Sequence, residues 1–148
     1  MHDDLRFMEE ALTEARLGLA EGGVPIGSVL VIDGKVVGRG HNRRVQRGSP
    51  ILHGEMDAFE NAGRLPAAAY ARSTLYTTLS PCDMCTGASL LFKIPRVVLA
   101  ENRTFRGGED LLRARGVEVV NLDLPEAVEL MRRFIAAHPE IWNEDIAV

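Results

Sequence analysis

Two short motifs set the tightest constraint on this chain: His53-Gly54-Glu55 and, further on, Pro81-Cys82-Asp83-Met84-Cys85. Cys82 and Cys85 are the only cysteines among 148 residues. They stand at i and i+3, which puts both sulfurs on one face of a first helical turn. A disulfide across so short a loop is mostly redox-active rather than structural. In a reducing compartment such a pair reads as metal-binding or catalytic. A catalytic zinc takes three protein ligands and keeps its fourth position open. His53, Cys82 and Cys85 supply one nitrogen and two sulfurs. A fold for this sequence must then bring two helix starts, one at His53 and one at Cys82, to a single point.

Glu55 lies two residues from His53, so both reach the same side of the first turn. It is expected to move protons rather than to ligate. Zinc lowers the pKa of a bound water toward ~7. A carboxylate beside that water takes its proton, then hands protons to a ring nitrogen and to a leaving amine. Such a carboxylate must be partly dehydrated, so its pKa is expected to rise. The positive end of the helix favours the thiolate forms of Cys82 and Cys85. His-x-Glu followed by Pro-Cys-x-x-Cys is the pattern of zinc-dependent nucleobase deaminases. Taken singly, each element has a plainer reading: a loop histidine, a solvated glutamate, a redox dithiol or half of a structural zinc site. A structural site requires a fourth ligand, and neither His2, His41 nor His138 stands at ligand spacing to the motifs. A thioredoxin-like pair would follow the first strand of a βαβ unit, and it leaves His-x-Glu unexplained.

Hydrophobic periodicity organises the rest. Residues 3–21 predict an amphipathic helix through Leu5, Met8, Leu12, Ala15 and Leu19, stopped at Gly22-Gly23. Residues 26–32 and 35–39 predict an antiparallel hairpin about Asp33-Gly34. Residues 41–52 predict a loop. Helices are expected over 53–62, 82–92, 109–115 and 123–137, and strands over 74–79, 95–100 and 117–122. Asp123 and Glu126 have capping-box spacing, with Pro125 in the first turn. The crossover from Glu101 to Gly116 is long enough for a parallel strand pair. The expected architecture is α/β: a three-layer α/β/α sandwich on a mixed five-stranded sheet, in a single domain over 1–148, with 139–148 as a C-terminal lid.

The composition narrows the partners. Hydrophobic residues make up 46% of the chain, a globular proportion. The net charge is −4 and the pI about 5.6. The basic excess that drives phosphate binding is missing, which disfavours a nucleic-acid partner. No apolar run approaches the ~18–20 residues needed to cross a bilayer. The acidic N-terminus has no signal-peptide core. The expectation is a soluble, cytoplasmic protein acting on a small molecule.

The stretch TLYTTLSPCDMCTGA over 74–88 resembles the fungal cytosine deaminases nearly residue for residue. So do EGGVPIG over 21–27, GRGHN over 38–42, Glu60-Asn61 with Gly63-Arg64-Leu65, and Trp142-x-Glu144-Asp145-Ile146. The resemblance covers almost the whole chain and places it in the cytidine and deoxycytidylate deaminase family. It implies a cytidine-deaminase-like fold, one Zn2+ per subunit, a homodimer, and hydrolysis of cytosine to uracil and ammonia in pyrimidine salvage. It also implies a set of substrate contacts. Asn42 bonds the ring's polar edge, helped by the backbone N–H of Gly54. Ser80 offers its carbonyl to the leaving amine. Asp145 accepts from a ring N–H. Phe105 and Trp142 pack on the ring, and Ile146 completes the lid. An ionised Asp145 suits a free base, which carries an N–H where a nucleoside carries its sugar.

Two segments depart from the fungal pattern. Asn143 replaces a phenylalanine, and Met56-Asp57-Ala58-Phe59 replaces Ile-Ser-Thr-Leu. These changes leave the metal chemistry alone but bear on the base, leaving isocytosine, guanine, creatinine or a pterin as alternatives. Another alternative is deamination of adenosine in tRNA, for which Arg39, Arg43, Arg44 and Arg47 around Asn42 would form the patch. A non-catalytic zinc protein is the alternative of another class, and Glu55 argues against it.

Overall fold

The computed structural model describes residues 3–148, so His2 lies outside the described residues. Helix α1 (Asp4–Ala20) turns Phe7, Met8, Ala11, Leu12, Ala15 and Gly18 inward. Its buried stripe is displaced from the expected one, since Leu5 and Leu19 are exposed. A 3.6-residue period centred between Ala11 and Ala15 leaves both leucines on the flank. Strands β1 (Gly27–Ile32) and β2 (Lys35–His41) form the expected antiparallel hairpin. Asp33 and Gly34 sit at φ 51° and 76°, the two left-handed conformations a tight type I′ turn requires. Strand β2 runs on past the expected Arg39, so His41 pairs with Gly27 and Asn42 opens the loop.

The predicted loop after β2 contains a helical turn, α2 (Arg44–Arg47). The Asn42 side chain starts it by accepting from the Arg44 N–H at 3.0 Å. Helix α3 (Gly54–Ala62) follows with His53 at its N-cap. A short helix over Ala67–Tyr70, α4, was not expected from the sequence, since four residues are too few to show a period. Then come β3 (Ser73–Thr77), α5 (Asp83–Leu91) with Cys82 at its N-cap, β4 (Arg96–Leu99), α6 (Glu109–Ala114) and β5 (Glu118–Asn121). Helix α7 (Pro125–Ala137) begins at its proline, with Leu124 at the N-cap. The expected capping box is absent, because Asp123 adopts φ 51° and gives its carboxylate to Arg103 at 2.8 and 2.7 Å. The C-terminal tail is itself a helix, α8 (Pro139–Asp145), restarted by Pro139 at a position that needs no amide donor.

The sheet has the order β2-β1-β3-β4-β5, with β1 antiparallel to both neighbours and β3-β4-β5 parallel. Alternating residues of the buried strands face opposite layers. Val29, Val31, Tyr76 and Val98 pack with α1 and α7, while Leu30, Leu75 and Val97 pack with Phe59 of α3 and Leu112 of α6. A third cluster joins Val24, Ile26 and Leu79 to Met131 and Phe134 of α7 and Trp142 of α8. The functional motifs lie where β3 ends and its chain turns into α5. That is the carboxyl edge of the parallel strands, where α/β sheets leave a crevice. No helix among the described residues is long and apolar enough to cross a membrane.

Candidate active site

His53 and Cys82 are the N-cap residues of α3 and α5, and neither uses its side chain to cap its helix. Both side chains turn toward each other. The Cys82 sulfur lies 3.3 Å from His53 Nδ1, Cys85 Sγ lies 3.8 Å from the same nitrogen, and the two sulfurs are 3.7 Å apart. Zn–S bonds of ~2.3 Å and Zn–N bonds of ~2.0–2.1 Å in a tetrahedron put donor atoms ~3.6–3.8 Å apart. The three donors therefore fit one zinc ion, and they are the one group of this kind among the described residues. One imidazole nitrogen and two thiol sulfurs are a donor set that suits a borderline-soft cation.

The three donors share protons among themselves, and a cation bound by them would displace those protons. Cys82 is held down to about 4, because Cys85 shares its proton with the Cys82 sulfur and His53 faces it as well. Cys85 is pushed well above the usual thiol range by that same bond and by burial. Burial opposes a charged His53, but Cys82, Asp145 and Glu55 outweigh it and lift the imidazole to about 9. Glu55 is buried in the first turn of α3. Burial, reinforced by the charge of Cys82, raises it to about 7, as its expected task requires.

The second wall comes from distant segments. Asp145, at the end of α8, is buried and faces His53 Nε2 across 3.4 Å with Oδ2. Its other oxygen accepts from Asn42 Nδ2 at 2.8 Å. Burial raises the Asp145 carboxyl, with His53 and Asn42 pulling the other way. Arg44 lies 3.6 Å from Glu144 and 3.9 Å from Asp145, tying α2 to α8. Phe105 and Trp142 meet edge to face, with centroids 5.9 Å apart at 83°.

These residues divide the crevice. An inner cavity of about 10 Å³ is lined by Glu55, His53, Cys82, Ser80, Phe105, Trp142, Asp145 and Ile146, with Ile26 and Leu79 behind. That is room for about one water. An outer cavity of about 510 Å³ opens beyond it, reaching His53, Cys82, Phe105, Asp145 and Ile146 but not Glu55. Of the sequence-predicted site residues, Asn42 reaches the inner cavity through Asp145. Gly54 starts α3, packed so closely on Ile26 that a Cβ there would meet its carbonyl at 3.1 Å. It is not part of either lining.

Three buried carboxylates around the site had no assigned role in the sequence reading. Glu109 accepts from the Ser80 hydroxyl at 2.6 Å and from Asn102 at 3.3 Å, and the Ser80 oxygen in turn accepts from the Gly107 N–H at 2.9 Å. Glu101 accepts from the N–H groups of Arg103 and Thr104 at 2.7 and 3.0 Å and from the Thr104 hydroxyl, folding the segment that presents Phe105. Asp57 binds the chain on both sides of Asn42. A lone acidic residue on a predicted helix or after a strand gives no signal of burial; for Asp57, its place one turn from His53 was the only hint.

The profile of the cytidine and deoxycytidylate deaminase zinc-binding region matches residues 1–101. The chain belongs to that family. The deaminase is 54% identical over 145 residues to cytosine deaminase of Candida albicans, covering 97% of each chain. It is 37% identical over 139 residues to a tRNA-specific adenosine deaminase of Streptococcus pyogenes, covering 93% of this chain and 85% of that one. Among solved structures it resembles a tRNA:A34 deaminase at 30% identity and a TM-score of 0.68, over 81% of this chain and 99% of the other. The fold of a guanine deaminase from Nitrosomonas europaea superposes with a TM-score of 0.75 at 24% identity, covering 92% and 86%. The protein is thus a zinc-dependent hydrolase acting on C–N bonds, with the mixed five-stranded sheet of its relatives.

Proposed function

We propose that this deaminase converts cytosine and water to uracil and ammonia as a free base. The observation that carries the reading is Asp145: a buried carboxylate within 3.4 Å of the metal-binding histidine, in a chain 54% identical to a cytosine deaminase. A carboxylate at that depth accepts from a ring N–H and repels a sugar at the same atom.

His53, Cys82 and Cys85 would hold the zinc, which when bound would supply a water of lowered pKa and Lewis acidity. Glu55 is the catalytic acid and base. With a carboxyl near 7 it accepts one proton of the attacking water and delivers it to the ring nitrogen, then accepts the remaining proton of that oxygen and delivers it to the departing amine. Asn42 and Asp145 hold the ring's polar edge, with the Gly54 N–H assisting. The Ser80 carbonyl accepts from the amine, its backbone held through the Glu109 carboxylate. Phe105, Trp142 and Ile146 clamp the ring faces and exclude water. The inner cavity admits no ring as it stands, so residues 139–148 act as a lid on a single deaminase domain. Helix α8 opens for entry and for product release.

The tRNA reading is weaker because three of the four arginines around Asn42 are engaged: Arg39 with Glu10 at 2.9 Å, Arg43 with Asp57 at 2.9 Å, and Arg44 with the α8 carboxylates. We assign the protein to the cytoplasm as a homodimer. The strongly exposed Leu91 on α5 and Leu111 on α6 supply apolar area for the interface, and sedimentation of the zinc-loaded protein tests it. The functional test is ammonia release from cytosine, cytidine, isocytosine, guanine, creatinine, adenine and a tRNA anticodon stem. Turnover of cytosine and not cytidine is expected. Turnover only of another substrate overturns the assignment of the base and leaves the zinc chemistry standing.

A further inference from the structure

Asp57 is the one acidic residue of α3 that neither faces the metal donors nor reaches solvent. It is buried in the first turn, with its N–H on the His53 carbonyl at 2.9 Å, so it belongs to the same rigid turn as the metal-binding histidine. Its side chain leaves the helix on the side of β2. One oxygen, Oδ2, accepts from the His41 N–H at 3.1 Å and from Arg43 Nε at 2.9 Å. These are the two neighbours of Asn42. The approach is possible because residue 40 is glycine. A Cβ there would stand 2.6 Å from Asp57 Oδ2 and 2.5 Å from the Ala58 nitrogen, so any side chain would push α3 off the strand.

We propose that Asp57 is a positioning residue that locks Asn42 into register with His53 and Glu55. The proposal rests on the reading of Asn42 as the residue that holds the ring's polar edge. Asn42 itself is fully buried, and its side chain and carbonyl bond groups of α2 and α8: the Arg44 N–H, Gln46 and Asp145. Its N–H to the Ile26 carbonyl at 2.9 Å fixes the strand end, but only Asp57 ties both flanks of Asn42 to the metal helix. A charged acceptor holding a backbone N–H and a guanidinium is among the stronger positional restraints a buried side chain offers. A reacting geometry displaced by ~1 Å costs on the order of 100-fold.

The experiment compares the parent with Asp57→Ala, Asp57→Asn and Arg43→Met as zinc-loaded proteins. Zinc content, steady-state deamination, and calorimetric binding of pyrimidin-2-one are measured. That ligand keeps the ring's polar edge and has no amine to lose. Asp57→Ala is expected to keep one zinc per chain and to lose roughly 10- to 100-fold in kcat/KM, mostly as a higher KM, with a matching loss of pyrimidin-2-one affinity. Asp57→Asn keeps one acceptor for the His41 N–H and should recover at least half of that loss on a logarithmic scale. Arg43→Met removes one of the two ties and leaves the N–H bond in place, so it should cost less than Asp57→Ala and in the same direction, as a higher KM. Should Asp57→Ala fail to fold, Asp57→Asn and Arg43→Met still test the proposal through KM and ligand affinity. Unchanged KM and pyrimidin-2-one affinity in the Asp57 variants, or a loss explained by lost zinc, overturns it. A parent that does not deaminate cytosine instead refutes the functional reading.

Discussion

The two walls of the catalytic crevice are built in different ways. His53, Glu55, Cys82 and Cys85 come from the first turns of α3 and α5, and their spacing is set by helix geometry once those two helices pack on the sheet. Phe105, Trp142, Asp145 and Ile146 come from the segment between β4 and α6 and from the last helix, and side-chain contacts hold them. These are the edge-to-face ring pair, the Asn42–Asp145 bond and the Arg44 ion pairs. The first wall is a rigid metal cradle. The second is a docked helix and loop held by separate side-chain contacts. On the proposed function, chemistry that needs fixed distances falls to the first, and substrate recognition that needs entry and exit falls to the second.

Substitutions on the two walls should therefore fail differently. Cys85→Ala removes a metal donor and leaves two, so bound zinc should fall far below one per chain and ammonia release should disappear with it. Elemental analysis alongside the assay reads both. Glu55→Gln should keep the zinc and lower kcat by about 10²- to 10⁴-fold, the usual share of a general acid–base group. Retained turnover in that variant would break the division between holding the metal and moving protons. Asp145→Ala, on the lid wall, should keep both the zinc and the folded domain. It should lose about 10- to 100-fold in kcat/KM for the free base, as expected for a hydrogen bond to a charged group worth ~1.5–3 kcal/mol. Arg44→Ala should show the smallest effect, less than about threefold in kcat/KM, because its partner Glu144 is largely exposed and such pairs are worth ~0.2–1 kcal/mol. Stopped-flow product release should quicken if Arg44 latches the lid, and an unchanged release rate would show that the ring pair and Asp145 hold it alone.

Much of the metal wall was legible in advance. The i, i+3 cysteines and the i, i+2 His–Glu pair are local patterns, and a helix start converts such a pattern directly into geometry. The hairpin was equally legible from Asp33-Gly34, as was the parallel β4-β5 pair from its long crossover. Several expectations gave way to tertiary contacts. Leu5 and Leu19 fit a helical period but lie outside the face that α1 presents to the sheet. Asp123 had capping spacing but was taken by Arg103, a partner far back along the chain. The tail after Pro139 gave no strong period over its few residues, and it forms a helix whose Trp142 packs against Leu79 and Phe134.

Local spacing in the sequence, then, determined which donors gather into a group that fits a zinc ion and which carboxylate shares a helical turn with the histidine, because the distances involved lie within single helical turns. Only the tertiary structure decided what surrounds that group: Asp145 brought beside His53, Glu109 bonded to Ser80, and Asp57 bonded to the His41 N–H and Arg43. Such pairings join residues of different elements, and a buried carboxylate is written in the sequence with the same letter as a solvated one. Its partners exist only after the layers have packed. The desolvation that raises Glu55 and Asp145 is a property of that packing and of no single segment.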